Sequence, residues 1–596
     1  METVESTAAP LAWLTIEVLL YGLIVAAALG LRLWGIGSTP LSNSEAAQSL
    51  AAWSLYHGSQ PDGTLYSPLL LSLNSVTFFL FGASDGSARL AALLLGMVLV
   101  MLPITLRRQL GPPVALLASF LLAISPTAIF LSRTVNSEVA VAVGALMIVA
   151  GFFNWARTSQ RRWLWLLAGG LAVVLTGGPM AYSILLVFAL IALIKLPAFK
   201  ELVSGAIAET QANSAPPAAG EPGAGLAGLR QAGIFLVVML VLLATTFTLN
   251  MSGFGVVPNL LTDWLSRFGF QAQPAAGFNA VFLLTIYEPL LVLAGLTGLA
   301  YVLLRRELLG LVLAFWFGGL LLLDLLMGGR PNGSIILLVV PLAFLAAIAL
   351  ADLLAAVRRW GSWANEGMLL GAGLVIMAFG YIGLTGWLLR SCGPDDRLCQ
   401  YSWLQPVAAL VLFLVIVAFF AYLNDVGSAL RGAALTAVAV ALLATVNIGW
   451  RLNYGPLMNL GYQPLAGVPA STGLAQLTRT LTDQSITRVG DARLLDITLA
   501  GVDSPALQWQ LRDFSRLNRA NSLPINTAAT AIVTPAGATT SLDLGQAYLG
   551  HDLPLDAVWS PVGLPFKDFV KWLIYRQVDE RPQGNKVVLW LRVGEN

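Results

Sequence analysis

The chain has 596 residues, of which 57% are hydrophobic and 11% charged, with a mean hydropathy of +0.77. A soluble globular protein carries about 25% charged residues, so that class is excluded and the composition reads as a polytopic membrane protein. The 33 basic and 31 acidic residues leave a formal charge of +2; this gives no basic field of the kind nucleic-acid binding needs, and nucleic acid is excluded as a partner.

Crossing a bilayer takes roughly 20 apolar residues. The first such run is Leu14 to Trp34, preceded by Glu2 and Glu5 and not by a basic region, and it is expected to be a retained anchor, not a cleaved signal. Pro40 to Trp53 (PLSNSEAAQSLAAW) follows, a polar stretch with one acid, Glu45. Ser42 and Glu45 have the S-x-x-E spacing of a helix capping box, in which the Ser oxygen takes one free backbone N–H and the Glu returns to cap another. Glu45 thus has two readings: the start of an amphipathic helix, or a carboxylate at the outer mouth of the membrane region, serving as general base or metal ligand.

Pro68 to Phe81 is apolar but short, at the length of an interfacial or re-entrant segment. Spanning runs are then expected at Leu90 to Leu106, Val114 to Leu131, Val139 to Trp155, Trp163 to Thr176, Met180 to Ile194, Ile234 to Leu249, Val281 to Leu303, Leu308 to Met327, Ser334 to Ala356, Leu369 to Leu389, Pro406 to Leu423 and Ala433 to Trp450. That makes about thirteen. If Pro68 to Phe81 does not cross, one side receives Arg107 and Arg108, Arg157 with Arg161 and Arg162, Lys195 and Lys200, Arg305 and Arg306, and Arg358 and Arg359. The positive-inside rule makes that side cytoplasmic. The N-terminus is then cytoplasmic and residues 35–88 form one external loop. Residues 197–231 contain SAPPAAGEPGAGLAG and are expected to be a flexible cytoplasmic linker.

Both cysteines, Cys392 and Cys399, lie in one outer loop, SCGPDDRLCQ, which favours a disulfide in an oxidising compartment. The alternative is a metal pair, but there is no further Cys, and His57 and His551 are far away in sequence, whereas structural zinc wants four ligands. After the membrane region of residues 1–450, residues 451–596 are far less apolar and read as an extracytoplasmic α/β domain. Helices are expected at Gly473 to Asp483, Pro505 to Leu517 and Phe566 to Tyr575, and strands at Thr530 to Thr534 and Lys586 to Val593.

Other candidates for chemistry also have a plain alternative. Arg133 and Glu138, in SRTVNSE, sit at a membrane boundary, where such residues most often snorkel or pair. Two carboxylates, Glu45 and Glu138, facing one external cavity would be catalytic candidates, with Arg89 at the same level to hold a phosphate. Tyr287 and Glu288, in TIYEPLLVLAG, interrupt an apolar run, and an ionisable group there faces the protein interior and marks a candidate site. Asp324 is a weaker candidate of that kind, and Glu17 and Asp352 are expected to be structural.

The order of features resembles the GT-C class of membrane glycosyltransferases: first span, external acidic helix, interfacial PLLLSLNSVTFFLFG, then SARLAALLLG, ISPTAIFLSRTVNSE and LTGGPMA. Its nearest groups are the protein O-mannosyltransferases and the lipid A aminoarabinose transferases. WLSRFGFQAQPAAGFNAVFLLTIYEP and DSPALQWQLRDF are similar to the flippase-activity-associated subgroup, whose members end in an external α/β domain. The resemblance implies a mainly α, polytopic fold of about thirteen transmembrane helices with a C-terminal extracytoplasmic α/β domain. It implies a cell-membrane enzyme that moves a sugar from a polyprenyl-phosphate donor to a glycan, lipid or protein acceptor. The donor is the implied ligand, and a divalent metal stays open. Glu45 or Glu138 would be the base that takes the acceptor proton, and Arg89, Arg133, Tyr287, Glu288 and Arg330 would bind substrate and phosphate.

The sequence departs from that pattern at four places. The usual Asp-Glu is Ser44-Glu45, the acid after the SR element is Glu138 where Asp is usual, the usual Lys-Gly-Pro is Gly177-Gly178-Pro179, and the later charged loop is reduced to GGRPNG, with Arg330 its only charge. A second reading is therefore a non-catalytic relative that binds lipid-linked glycans or assists their export or assembly. A transporter fits less well, because the large external loop and terminal domain suit an outer-face site better than alternating access.

Overall fold

The computed structural model describes residues 15–61, 66–212, 224–269, 279–361, 363–390, 401–456, 461–523, 529–537 and 548–593 apart from 577, 579 and 581. Cys392 and Cys399 lie outside these residues. Among the described residues, 9 helices are long and apolar enough to cross a membrane, and 12 if each of three bent pairs is one span. The run expected over Trp163 to Thr176 is a further helix, Arg161–Gly177, of 17 residues. Each of the thirteen apolar runs read from the sequence therefore meets a helix or bent helix pair, although the one over Ile234 to Leu249 leaves the helix at Ala244 and ends in turns.

Burial separates an inner layer from an outer one. The spans Asn332–Trp360 and Ser137–Thr158 are 83% and 78% buried within the protein, whereas Leu404–Leu423 is 17% buried and presents Leu, Val and Phe outward. Lipid tails are as apolar as Leu, so helices in a bilayer associate through close packing of small residues. Gly144 shows this: a Cβ there would lie 2.8 Å from the Gly170 carbonyl oxygen of the adjacent helix. A Cβ at Gly298 would collide with the carbonyl oxygen of Leu345.

One helix break is made by the sequence and repaired by distant charges. Pro126 bends the pair Pro112–Ile124 and Pro126–Ser132 by 62°. Lacking an N–H, Pro126 leaves the Leu122 carbonyl without its helical donor. Arg32 supplies it, donating to Leu122 O at 3.2 Å and to Ala123 O at 3.3 Å. On the other side of the break, the Thr127 N–H and the Ser125 hydroxyl donate to Glu288 Oε1 at 3.0 and 2.5 Å. Glu288 itself lies at the 113° break between Ala280–Tyr287 and Pro289–Arg305.

The expected linker over residues 197–231 is corrected in part. Helix Leu196–Ala212 occupies its start and helix Ala224–Ala244 takes over its end. The reason is an apolar face: Val203, Ala206 and Ile207 pack with Trp155, Leu164 and Ala168, and Phe199 meets Phe152 edge-on at 5.1 Å between ring centroids.

Helix α1 (Ile16–Leu33) leads into α2 (Asn43–Tyr56), α3 (Pro68–Phe81) and the span beginning with α4 (Asp85–Met101). Both ends of α3 lie at one end of the bundle. Ser67, its N-cap, lines the cavity described below, and Ala83, just past its C-terminus, accepts from Arg512 of the terminal unit at 2.7 Å. Phe79, Leu80 and Phe81 point outward. The basic loops expected on one side all lie at the opposite end of the bundle from this cavity.

The terminal unit is a five-stranded sheet of order β2-β1-β3-β5-β4. Its strands are β1 (Ile497–Ala500), β2 (Leu517–Ala520), β3 (Ala531–Pro535), β4 (Tyr548–Pro554) and β5 (Lys586–Arg592). β1 runs parallel to both β2 and β3, whereas β5 is antiparallel to β3 and to β4. The helix expected over Pro505 to Leu517 ends at Leu511, and Leu517 opens β2. β1, four residues buried on both faces, shows no alternation to read, and β2 is a polar edge strand. Docking onto the membrane region runs through Trp509, whose Nε1 donates to Asp85 at 2.6 Å, and through Asn43, whose Oδ1 accepts from Ser504 Oγ at 2.9 Å and Ala506 N at 3.1 Å.

Candidate functional site

The loops at one end of the bundle and the terminal unit enclose a cavity of about 940 Å³. Its charged lining residues are Glu45, Arg89, Arg133, Glu138, Arg267, Arg330 and Asp556. Of the residues expected from the sequence, it brings together Glu45, Glu138, Arg89, Arg133 and Arg330, and it leaves out Tyr287 and Glu288.

Glu45 is fully engaged. Ser42 and Glu45 form the capping box that starts α2, with Ser42 N and Oγ donating to Glu45 Oε2 at 3.0 and 3.1 Å. Arg89 grips both carboxylate oxygens, Nε to Oε1 at 2.9 Å and Nη2 to Oε2 at 3.0 Å, and the Val135 N–H adds a third partner to Oε1 at 3.0 Å. Burial alone raises the Glu45 pKa, but the Arg89 charge and the hydrogen bonds from Arg89, Ser42 and Val135 outweigh it and hold the carboxyl below its ordinary value. A carboxylate so satisfied is a poor base. In this structure Glu45 ties α2 to α4 and to the loop that holds Arg133.

The Arg89 guanidinium also donates to Ile36 O, Thr39 O and Pro40 O, which ties it to the chain between α1 and α2. Ser44, one residue before Glu45, is exposed and lines the cavity. The position where the family pattern places an Asp thus carries a hydroxyl, 3.2 Å from that of Ser42.

Arg133 caps α1, donating from Nη1 to Leu31 O and Arg32 O at 3.1 Å each and to Trp34 O at 2.6 Å, and lies 5.0 Å over the Tyr454 ring. Its hydrogen bonds go to carbonyls, so its charge has no carboxylate partner among the described residues. Arg330 is paired with Asp324 and donates to the Asp324 carbonyl at 2.8 Å. Arg267 was missed as a site residue. It pairs with Asp263 at 2.7 Å and donates to Gly329 O at 2.9 Å, which ties the helix Gly253–Ser266 to the Arg330 loop. The LTDWLSRF spacing, with Asp and Arg four apart, was the available signal.

Glu138 is different. It lies in the first turn of Ser137–Thr158, just after the N-cap Asn136, and is 6% exposed. Oε2 accepts from Ser137 Oγ at 3.2 Å, and beyond its own backbone N–H the carboxylate has no other hydrogen-bond partner and no ion pair among the described residues. The other lining acid with no ion pair, Asp556, has both oxygens taken by Asn585, at 2.7 and 2.9 Å. Glu138 is therefore the lining carboxylate that, among the described residues, only the neighbouring Ser137 side chain engages. Gly178 and Pro179 line the cavity beside it, where the family pattern has a Lys-Gly-Pro.

Tyr287 and Glu288 lie away from the cavity lining. The Tyr287 hydroxyl donates to Gln463 Oε1 at 2.9 Å, and the Arg576 guanidinium covers its ring at 4.9 Å, so it locks the terminal unit to the bundle. Glu288 Oε1 serves the Pro126 break, whereas its Oε2 is buried without a hydrogen-bond partner among the described residues. Among the described residues no group of three His, Cys, Asp or Glu side chains could hold a metal.

No protein-family model and no curated protein matches the sequence. Solved structures do match the fold. ArnT from Cupriavidus metallidurans in the apo state superposes with a TM-score of 0.52 over 96% of this chain and 98% of that one, at 14% identity. The chain has the GT-C fold. The same ArnT bound to undecaprenyl phosphate superposes at 0.50, with 15% identity and 98% of each chain covered. The archaeal oligosaccharyltransferase AglB from Archaeoglobus fulgidus, in complex with an inhibitory peptide and a dolichol-phosphate, aligns at 0.46 with 12% identity, over 87% of this chain and 69% of that one.

Proposed function

We propose that the protein is a multi-pass membrane glycosyltransferase that moves a sugar from a polyprenyl-phosphate donor to an acceptor at the outer membrane face. The observation that carries this reading is Glu138, a carboxylate whose only side-chain partner among the described residues is Ser137, in a cavity of about 940 Å³ that it shares with Arg133, Arg267 and Arg330. Glu138 takes the proton of the acceptor hydroxyl as that oxygen attacks the anomeric carbon. The bond from that carbon to the donor phosphate breaks with inversion, and the departing phosphate oxygen takes the electron pair. Arg133, whose charge faces backbone carbonyls and the Tyr454 ring, stabilises that phosphate, helped by Arg267, which lines the same cavity. A water-poor cavity strengthens both effects. The ArnT structure bound to undecaprenyl phosphate supports a polyprenyl-phosphate ligand for this fold. The positive-inside rule applied to the basic loops supports a cytoplasmic side at the opposite end of the bundle.

A second reading, a non-catalytic binder of lipid-linked glycans, is favoured by one observation: Ser44 faces the cavity while the adjacent Glu45 is consumed by Arg89. An in-vitro transfer assay over a panel of polyprenyl-phosphate sugars separates the two. Removing a general base costs about 10²- to 10⁴-fold, so Glu138→Gln is expected to lose turnover on that scale while binding undecaprenyl phosphate as the wild type does. Turnover that survives Glu138→Gln removes Glu138 as base. No wild-type turnover, with lipid binding intact, selects the binder.

A further inference from the structure

The terminal unit has a cavity of its own, about 560 Å³, lined by Asn43, Gly501 to Ser504, Pro535, Ala536, Leu555, Asp556 and Gly584 to Val587. Its position follows from the sheet. Residues 501–504 continue from the carboxyl end of β1, and Pro535 and Ala536 close β3. β5 runs antiparallel to β3 and β4 antiparallel to β5, so the start of β5 and the end of β4 meet at the same edge. From β1 the chain moves to β2 on one side, and β3 lies on the other. That makes the gap between β1 and β3 the topological switch point of the parallel strands, where open α/β sheets bind ligands outside their carboxyl ends. The volume falls within the roughly 300–1,000 Å³ of small-molecule sites.

This crevice and the larger cavity share Asn43, Asp556 and Asn585, so the two spaces meet at those side chains. Both amides are half-pinned. Asn43 Oδ1 is held by Ser504 Oγ and Ala506 N, which leaves its NH₂ group without a partner among the described residues. Asn585 Nδ2 is held by Asp556 Oδ2, which leaves its Oδ1 without a partner among the described residues. The neck therefore offers one oriented donor and one oriented acceptor, the pair that successive hydroxyls of a sugar can satisfy together. Asp503 and Lys586, both exposed and in no ion pair among the described residues, add one charge of each sign. Asp556, held only by neutral N–H donors of Asn585, adds a second negative charge, so the lining holds no cationic cluster for a phosphate or a uronate chain.

We propose that this crevice is the acceptor subsite, binding an uncharged, hydroxyl-rich saccharide whose reactive end passes between Asn43 and Asn585 into the cavity that holds Glu138. The proposal rests on the transferase reading for the word acceptor, and on the crevice alone for saccharide binding.

Saturation-transfer NMR on the full chain in nanodiscs tests it, with uncharged oligosaccharides of mannose, glucose, galactose and arabinose as probes and an oligouronate as the charged control. At least one neutral probe is expected to bind, and the oligouronate to bind at least tenfold more weakly. Ala536→Trp fills the crevice from an exposed position and is expected to abolish that binding while undecaprenyl-phosphate binding is kept. Asn585→Ala, expected to weaken it at least tenfold, serves if the Trp variant does not fold. Binding by none of the neutral probes, equal binding in the wild type and both variants, or preference for the oligouronate overturns the proposal. Because saccharide binding is read without turnover, its failure leaves the Glu138 assay standing, and an inactive wild type leaves this measurement standing.

Discussion

Glu45→Gln separates a structural carboxylate from a catalytic one. In the wild type the Glu45 and Arg89 side chains are 7% and 4% exposed and form two hydrogen bonds, near 3 Å each. Removing one partner of a buried ion pair strands the other charge and costs about 3–5 kcal/mol. Glu45→Gln keeps an acceptor for the Val135 N–H but leaves the Arg89 charge uncompensated, and a loss in that range is expected. Arg89→Met should cost a similar amount, and the double variant much less than the sum, because residues in contact couple by about 0.5–3 kcal/mol. Unfolding of the purified chain, followed by tryptophan fluorescence, gives all four corners of the cycle. The pH dependence supplies an independent check of the sign. A carboxyl held below its ordinary value adds stability that is fully present above the unfolded value of about 4.3 and is lost as pH falls through the folded value. The wild-type advantage over Glu45→Gln should therefore shrink below about pH 4. If Glu45→Gln is as stable as the wild type but has no turnover, Glu45 is catalytic and the structural assignment fails.

Three further substitutions probe other parts of the argument. Tyr287→Phe strands Gln463 Oε1 in a buried site and should cost about 1–3 kcal/mol, read as faster protease release of the terminal unit; unchanged release would mean that the Tyr287 contact does not hold the interface. Gly298→Ala should cost about 1–3 kcal/mol by forcing apart two packed helices, whereas Gly367→Ala, with nothing within 4 Å of its new Cβ, should be neutral or stabilising in thermal unfolding; equal effects would refute the close-packing account. Ser44→Asp puts a carboxylate in the first turn of α2, where a helix N-terminus favours it by about 0.3–1 kcal/mol, and is expected to raise the transfer rate without loss of stability. A stable variant with unchanged turnover would show that this position does not reach the acceptor.

The spans were legible because a bilayer leaves the sequence little choice: apolar length is the requirement, and it is written residue by residue. The S-x-x-E spacing also foretold the capping of α2. It could not foretell Arg89, because a partner 44 residues away depends on how α4 is set against α2. Glu288 was rightly read as buried in the protein, but its partner is a backbone break created by Pro126 in another helix, which no local pattern discloses. Arg267 stood inside a quoted motif and went unassigned, since only the fold brings the Gly253–Ser266 helix to the cavity. In the terminal unit the short buried β1 and the polar edge β2 lack the alternation that makes a strand visible.

The Pro126 break also bears on the order in which the chain can be inserted. Arg32 comes before the bend in the sequence and is available as soon as the bent span enters the membrane, but Glu288 comes long after it. Until the later segment arrives, the Thr127 N–H faces the interior without its partner, and each such group costs several kcal/mol in hydrocarbon. The third span is thus not a self-sufficient insertion unit. The amino-terminal half of the bundle is held provisional until the second half delivers one carboxylate.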